Sequence, residues 1–272
     1  MFSHAATAWQ PERVTTSAAA LRTAAALGPY FAVALTADLT AAGPGWLPLA
    51  ALVDDPVRLR ERVATARSVL AGRCGLAPDA IEERATASIH FLGLAARVIS
   101  PAFGAAVLTG TVPVLGTGGV HWQPVDGGPI PLAVTAPQAR WAPTLDGLAD
   151  LMYADVVSMT AEPLAEAVHR EFRLSPKVLW GNIASAVAGT AAALAVTRPD
   201  LGRRSTALAD RLLQRGRLAG TGRFLSTDPT RPERFFRRRS CCLFYRVPGG
   251  GTCADCVLNT ISAPRPVTPR RE

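Results

Sequence analysis

The sequence predicts a mainly helical protein of the α+β class, with a helical body, a small β-hairpin and a short C-terminal cysteine-rich module. Apolar residues recur at helical spacing over much of the 272 residues, and a Gly- and Pro-rich stretch interrupts that spacing near residues 112–142. Four of the five cysteines lie between residues 241 and 256. With 49% hydrophobic residues, a chain of this length can bury a sizeable core.

The first half of the chain predicts two helices. Asp55 and Pro56 are typical of a helix start, and Gly72 of a helix end. The next helix follows an apolar stripe over residues 81–99. We expect it to end before Pro101, because proline lacks the N–H that an interior helical position needs.

Two short apolar runs, residues 120–125 and 130–135, flank Asp126 and two glycines and predict a β-hairpin near residues 120–135. The neighbouring prolines are expected to place these strands at the edge of a sheet. They are Pro124, Pro129 and Pro131.

Helical spacing resumes over residues 145–172. Ser175 and Pro176 then form a cap and first turn for a helix that should run to Thr197. One more helix is predicted over residues 205–215.

The formal net charge is +8, and arginine carries almost all of the positive charge because Lys177 is the only lysine. This charge favours an anionic partner but does not choose among nucleic acid, a membrane surface, an acidic protein and a small anion. The first 13 residues lack an export signal, so we expect a cytoplasmic protein without stable disulfides.

Two uncharged stretches, residues 98–125 and 178–197, are interpreted as buried core. The first contains several Pro and Gly residues and the second is mostly alanine, whereas a spanning helix needs about 20 strongly apolar residues. No transmembrane segment is therefore predicted, while the charge leaves peripheral membrane contact open.

The clustered cysteines follow the pattern CC-x10-C-x2-C, with ligand candidates Cys241, Cys242, Cys253 and Cys256. A disulfide is disfavoured because the protein is expected in the cytoplasm. It is also disfavoured because the Cα atoms of adjacent residues lie closer together than an ordinary disulfide needs. A structural zinc site would use Cys253-x2-Cys256 as one half but lacks a second C-x2-C half. An iron-sulfur cluster accepts irregular spacing because it offers two iron atoms, and is the leading interpretation.

Residues 237–258, RRRSCCLFYRVPGGGTCADCVL, closely resemble the C-terminal signature of the FhuF-like ferric-siderophore reductases. A second, shorter likeness is the run SPKVLWGNIAS at residues 175–185. The resemblance implies that all four cysteines ligate one [2Fe-2S] cluster. It also implies an iron-sulfur oxidoreductase that takes one electron from a low-potential donor protein and reduces iron(III) bound to a siderophore.

Several other residues are candidates for docking a substrate or partner. The arginines of the cysteine-rich segment could offset the cluster's negative charge or attract an anionic chelate. Trp180 and Asn182 could line a substrate pocket or pack between helices. His90 and His121 are expected to be core or surface residues, and Cys74 an incidental thiol. The arginine candidates are Arg237, Arg238, Arg239 and Arg246.

We predict a helical reductase-like body over residues 1–230, an iron-sulfur module over 231–262 and a disordered tail over 263–272. Two alternative functions stay open. One is a basic zinc module whose aromatics contact nucleic acid, a partner that the reductase interpretation does not expect. The other is a siderophore-binding or biosynthetic protein with a purely structural cluster. The aromatics concerned are Phe235, Phe236, Phe244 and Tyr245.

Overall fold

The computed structural model describes residues 16–37, 39, 43–126, 128–135, 137–226 and 235–259. The tail predicted to be disordered, residues 263–272, lies outside the described residues.

Helices make up most of the described chain. In chain order they are α1 Ser17–Ala25, α2 Ala51–Asp54, α3 Pro56–Arg73, α4 Glu83–Thr109, α5 Leu145–Met152, α6 Glu162–Phe172, α7 Pro176–Thr197 and α8 Gly202–Leu212. A π-helical segment, Tyr153–Ala161, joins α5 to α6, so the chain is helical from residue 145 to residue 172.

The predicted caps of α3 and α7 are confirmed. The Asp55 carboxylate accepts hydrogen bonds from the backbone N–H groups of Val57 and Arg58, and Pro56 occupies the first turn. The Ser175 hydroxyl accepts from the Lys177 N–H, at 3.3 Å. These side chains satisfy N–H groups that have no partner inside the helix.

The prediction that the second helix ends before Pro101 is wrong, because α4 continues through Pro101 to Thr109 and closes at Gly110 with φ 70°. An interior proline costs about 3 kcal/mol. Burial outweighs this cost here: Phe103 and Val107 are fully buried in the second part of the helix. The helix predicted over residues 205–215 is α8, which begins and ends three residues earlier.

The core is centred on α4 and α7, which pack against each other, while α1 and α3 cover α4 and α8 covers α7. By length and composition both central helices could cross a membrane, with mean hydropathies of 1.7 and 1.5. Most of each apolar window is buried inside the protein, at 78% and 72%. This burial agrees with the interpretation of both stretches as core.

Four short strands, β1 Ala34–Leu35, β2 Leu47–Pro48, β4 Val120–Trp122 and β5 Leu132–Val134, form one sheet. Its order is β1-β5-β4-β2, in which β1 and β5 are parallel and the other pairs antiparallel. Separately, β3 Thr111–Pro113 pairs with β6 Ala139–Trp141. The predicted hairpin is confirmed as β4 and β5. The expected edge position is wrong, since these are the two central strands, and the prolines lie outside them.

The cysteine-rich segment follows a two-stranded antiparallel ribbon, β7 Gly222–Leu225 and β8 Phe235–Arg238. This ribbon joins residues on both sides of position 230, so the division into a body and a module stays a prediction. Beyond β8, Phe244 and Val247 pack on an apolar patch of α3 and α4. This contact patch consists of Leu70, Ala71, Ile81, Ile89, Phe244 and Val247.

Candidate metal centre

Two loops carry the four cysteines. Cys241 and Cys242 follow β8 after two intervening residues, and a 3-10 turn at Phe244–Arg246 comes next. Cys253 and Cys256 form a second turn, in which the Cys256 N–H donates to the Cys253 carbonyl at 3.1 Å. All five cysteines of the chain are free thiols, and Cys74 is exposed at the end of α3.

The four sulfurs are arranged as two pairs. The Sγ atoms of Cys242 and Cys253 are 3.5 Å apart, and Cys241 interacts with Cys256. Two thiolates on one tetrahedral metal with bonds of about 2.3 Å lie about 3.7 Å apart. Within the described ranges, no three His, Cys, Asp or Glu side chains are arranged to hold a metal ion. Two thiolate pairs suit a centre with two iron atoms better than a single zinc ion.

Backbone N–H groups point at the sulfurs. The Leu243 N–H donates to Cys241 Sγ at 3.3 Å, and the Leu258 N–H to Cys256 Sγ at 3.4 Å. Leu243 adopts a left-handed conformation, φ 68°, which costs a non-glycine residue about 1–3 kcal/mol. This backbone also turns the Phe244 N–H toward Cys242. Hydrogen bonds to cluster sulfurs stabilise the more negative, reduced state.

A buried arginine lies beneath the first cysteine loop. Arg238 has 0% of its surface exposed. Its Nη2 donates to Asn182 Oδ1 at 2.6 Å, while its Nε and Nη1 have no hydrogen-bond partner within the described ranges. Its charge lowers the pKa of Cys242. An unpaired buried cation is costly unless a negative group is near, and a thiolate-bound cluster supplies one.

Helix α7 is shaped to receive this loop. A Cβ atom on Gly181 would lie 2.1 Å from Ser240 Oγ and 3.0 Å from Arg238 Nη2. Asn182 is fully buried and donates to the Ser88 carbonyl at 2.9 Å, which fixes its Oδ1 toward Arg238. The Gly181 and Asn182 pair therefore lets the loop approach the helix closely and orients the buried arginine.

Asp255 connects the second cysteine turn to the rest of the protein. Its carboxylate accepts a hydrogen bond from the Ser185 hydroxyl of α7, and its carbonyl accepts the Arg238 N–H at 3.1 Å. The turn that carries Cys253 and Cys256 is thus held against both α7 and β8.

A hydrogen bond links the Cys242 and Cys253 sulfurs. The hydrogen bond from Cys253 lowers the pKa of Cys242 to about 6, with help from the Phe244 N–H and the Arg238 charge and against burial. The same contact, together with burial and the Asp255 carboxylate, raises the pKa of Cys253. One sulfur of this pair is therefore prepared as a thiolate, the form that binds metal.

The other predicted docking arginines point in different directions. Arg237 donates to the Asn259 carbonyl, and Arg239 is exposed. Arg246 forms an ion pair with Glu82 at 2.9 Å, which ties the 3-10 turn to the start of α4. A docking role for these residues stays a prediction.

Trp180 is 5% exposed, and the Arg217 guanidinium stacks on its ring at 4.6 Å. Asn182 is buried as described above. The structure therefore gives both residues of the Trp-Gly-Asn segment internal contacts, and the docking role predicted for them is likewise untested.

The sequence alone did not indicate a role for Gly181, Ser185, Leu243 or Asp255 in the metal centre. The Trp-Gly-Asn run was the only signal that pointed toward α7, and it did not indicate that this helix receives the cysteine loops. Contacts between residues about 60–70 positions apart, such as Ser185 with Asp255, leave no local periodicity in the sequence.

We expect Arg238→Met to lower the reduction potential of the cluster by on the order of 50 mV, because a buried positive charge favours the added electron. Arg239→Met is the matched control and should change the potential much less, since solvent and salt screen an exposed charge. Protein-film voltammetry measures both. Equal shifts of the reduction potential in the two variants would show that the burial of Arg238 does not influence this potential.

Residues 238–258 match the family model described as the FhuF 2Fe-2S C-terminal domain. The match begins at the buried Arg238 and includes all four clustered cysteines. No curated protein matches the chain. The cofactor of this segment is thus a [2Fe-2S] cluster, and the residues described above fit it.

Proposed function

The chain carries a FhuF 2Fe-2S C-terminal domain at residues 238–258, and from this premise we propose that it is a ferric-siderophore reductase. It would act in the cytoplasm and transfer one electron to siderophore-bound iron(III). When bound, the cluster would carry one electron at a time. The electron comes from a separate low-potential donor protein, the iron(III) of the chelate is reduced to iron(II), and no proton or group is transferred.

One observation carries the proposal: each cysteine pair has a buried member and a half-buried member. Cys242 and Cys256 are 2% and 1% exposed, whereas Cys241 and Cys253 are partly accessible. One edge of the centre therefore faces solvent while the other is held in the protein. A bulky chelate that cannot enter the core can approach such an edge.

The remaining residues set the conditions for the transfer. Arg238 and the N–H groups of Leu243 and Leu258 favour the reduced state through charge and hydrogen bonds. The electron transfer releases the iron from the siderophore, because hard oxygen ligands hold iron(II) less tightly than iron(III).

The nucleic-acid alternative requires a shared aromatic face. Phe236 is instead buried against Phe224, with ring centroids 5.6 Å apart, and Phe244 packs on the contact patch. Tyr245 is 45% exposed. Among the described residues, these three aromatics do not present one stacking surface, so their arrangement does not favour this function.

The proposal is tested by stopped-flow reoxidation of the chemically reduced protein. We expect hydroxamate, catecholate or carboxylate ferric siderophores to reoxidise it in a single turnover, with one iron(II) trapped by a ferrous-specific chelator per cluster oxidised. Cluster-free protein is the control for iron(II) release. Reoxidation no faster than in buffer with every chelate, together with tight nucleic-acid binding, would lead us to abandon the reductase function.

A further inference from the structure

A second polar site lies beside the contact patch. It is a cavity of about 280 Å³ between α3, α4 and the segment that links β4 to β5. Arg62 and Arg73 of α3 and His90 and Arg97 of α4 line it, and Asp126 is its acidic residue.

Two of the lining residues, Arg62 and His90, each carry a buried polar atom that lacks a partner among the described residues. Arg62 is only 8% exposed, and its Nη1 donates to the Val125 carbonyl at 2.7 Å. Its Nε and the Nε2 of His90 have no hydrogen-bond partner among the residues that the structure describes. Burial, and then the neighbouring Arg62 charge, lower the pKa of His90 to about 3, so this imidazole is neutral at pH 7. Unpaired buried donors cost free energy that a bound acceptor restores.

Arg97 has a different part in the same cavity. Its guanidinium donates to the carbonyls of Ile130 and Ala32, at 2.8 and 2.9 Å, and also to Tyr30. It thereby fixes the segment that links β4 to β5, and its charge lies in the wall of the cavity. The three arginines exceed the single carboxylate of Asp126, so the cavity attracts anions.

The cavity adjoins the cysteine-rich segment. Leu70 and Ile89 line it, and the same two residues belong to the contact patch that holds Phe244 and Val247 of the cysteine-rich segment. A ligand in the cavity would therefore be separated from that segment by one layer of apolar side chains.

We propose that this cavity binds carboxylate groups, with Arg62 and His90 as the residues that hydrogen-bond the carboxylate oxygens once their side chains turn toward the ligand. A single carboxylate group carries one negative charge, which suits a cavity where Asp126 offsets part of the positive charge better than a doubly charged phosphate does, and the other carboxylates of a larger ligand such as citrate would lie outside the cavity. Resting on the proposed function, the ligand is a carboxylate arm of the ferric chelate.

The test is isothermal titration calorimetry on the cluster-loaded protein with citrate, ferric citrate and inorganic phosphate. Citrate and ferric citrate should bind, and Arg62→Gln should weaken them about tenfold or more, because a charged hydrogen bond is lost. Arg204→Gln is the control: it removes a partly buried arginine that donates to the Val107 carbonyl, away from the cavity. Tighter binding of phosphate than of citrate would overturn the carboxylate assignment.

A second variant covers the case in which Arg62→Gln does not fold. Gly93 lines the cavity, and a Cβ there meets nothing within 4 Å in the described part of the chain. Gly93→Leu should therefore fold, fill the cavity entrance and abolish citrate binding. Unchanged binding in this variant overturns the proposal.

The two proposals fail separately. Arg62-dependent citrate binding without any reduction of ferric chelates would uphold the cavity and overturn the reductase function. Reduction of ferric citrate by Arg62→Gln at the wild-type rate would uphold the reductase and overturn the cavity as the substrate site.

Discussion

Replacement of any one of Cys241, Cys242, Cys253 or Cys256 by serine is expected to remove almost all of the bound cluster. Loss of a residue that merely supports a metal ligand costs about 10–100-fold in metal affinity, and loss of a ligand should cost more. The pairing of the sulfurs gives the reason, since each serine leaves one pair incomplete. Visible absorption and iron content of anaerobically purified variants measure the effect.

Cys74→Ser is the matched control. Cys74 is exposed at the end of α3 and lies outside both loops, so this variant should keep its colour and iron. A bleached Cys74→Ser protein beside a coloured Cys241→Ser protein would show that the ligands are assigned incorrectly.

Gly181→Leu is expected to destabilise the protein by about 1–3 kcal/mol or more and to reduce cluster binding, because a side chain there overlaps Ser240 and Arg238. Gly189→Leu on the same helix is the control, since a Cβ at Gly189 meets nothing within 4 Å among the described residues. Both variants gain the same helix propensity, about 0.8 kcal/mol, so their difference isolates the steric effect.

Denaturant unfolding and cluster content measure this pair of variants. Ser240→Gly in the Gly181→Leu background removes the nearest overlapping atom and should restore part of the loss. If Gly181→Leu and Gly189→Leu behave alike, close approach of the cysteine loop to α7 is not what holds the centre in place.

The helix starts could be predicted because their signals are local. The Asp55 and Ser175 side chains accept hydrogen bonds from nearby N–H groups whatever the rest of the fold does, and Pro56 and Pro176 fit the first helical turn. The end of α4 could not be predicted in the same way. Pro101 is a strong local signal, but burial of the following residues against other elements overrides it.

The cysteine motif predicted the metal centre, whereas its surroundings needed the structure. Three consecutive arginines suggest a solvated basic segment, yet β8 ends within this run, and Arg238 points inward while Arg239 is exposed. Alternate residues of a strand face opposite sides. The run FFRR shows no apolar and polar alternation, so the sequence does not reveal that Arg238 is the buried member or that Asn182 is its partner.

The most direct test of the account is the metal and sulfide content of the anaerobically purified protein, read together with its visible spectrum. We expect a red-brown protein with about two iron and two sulfide per chain. A colourless protein with one zinc per chain and no sulfide would contradict it.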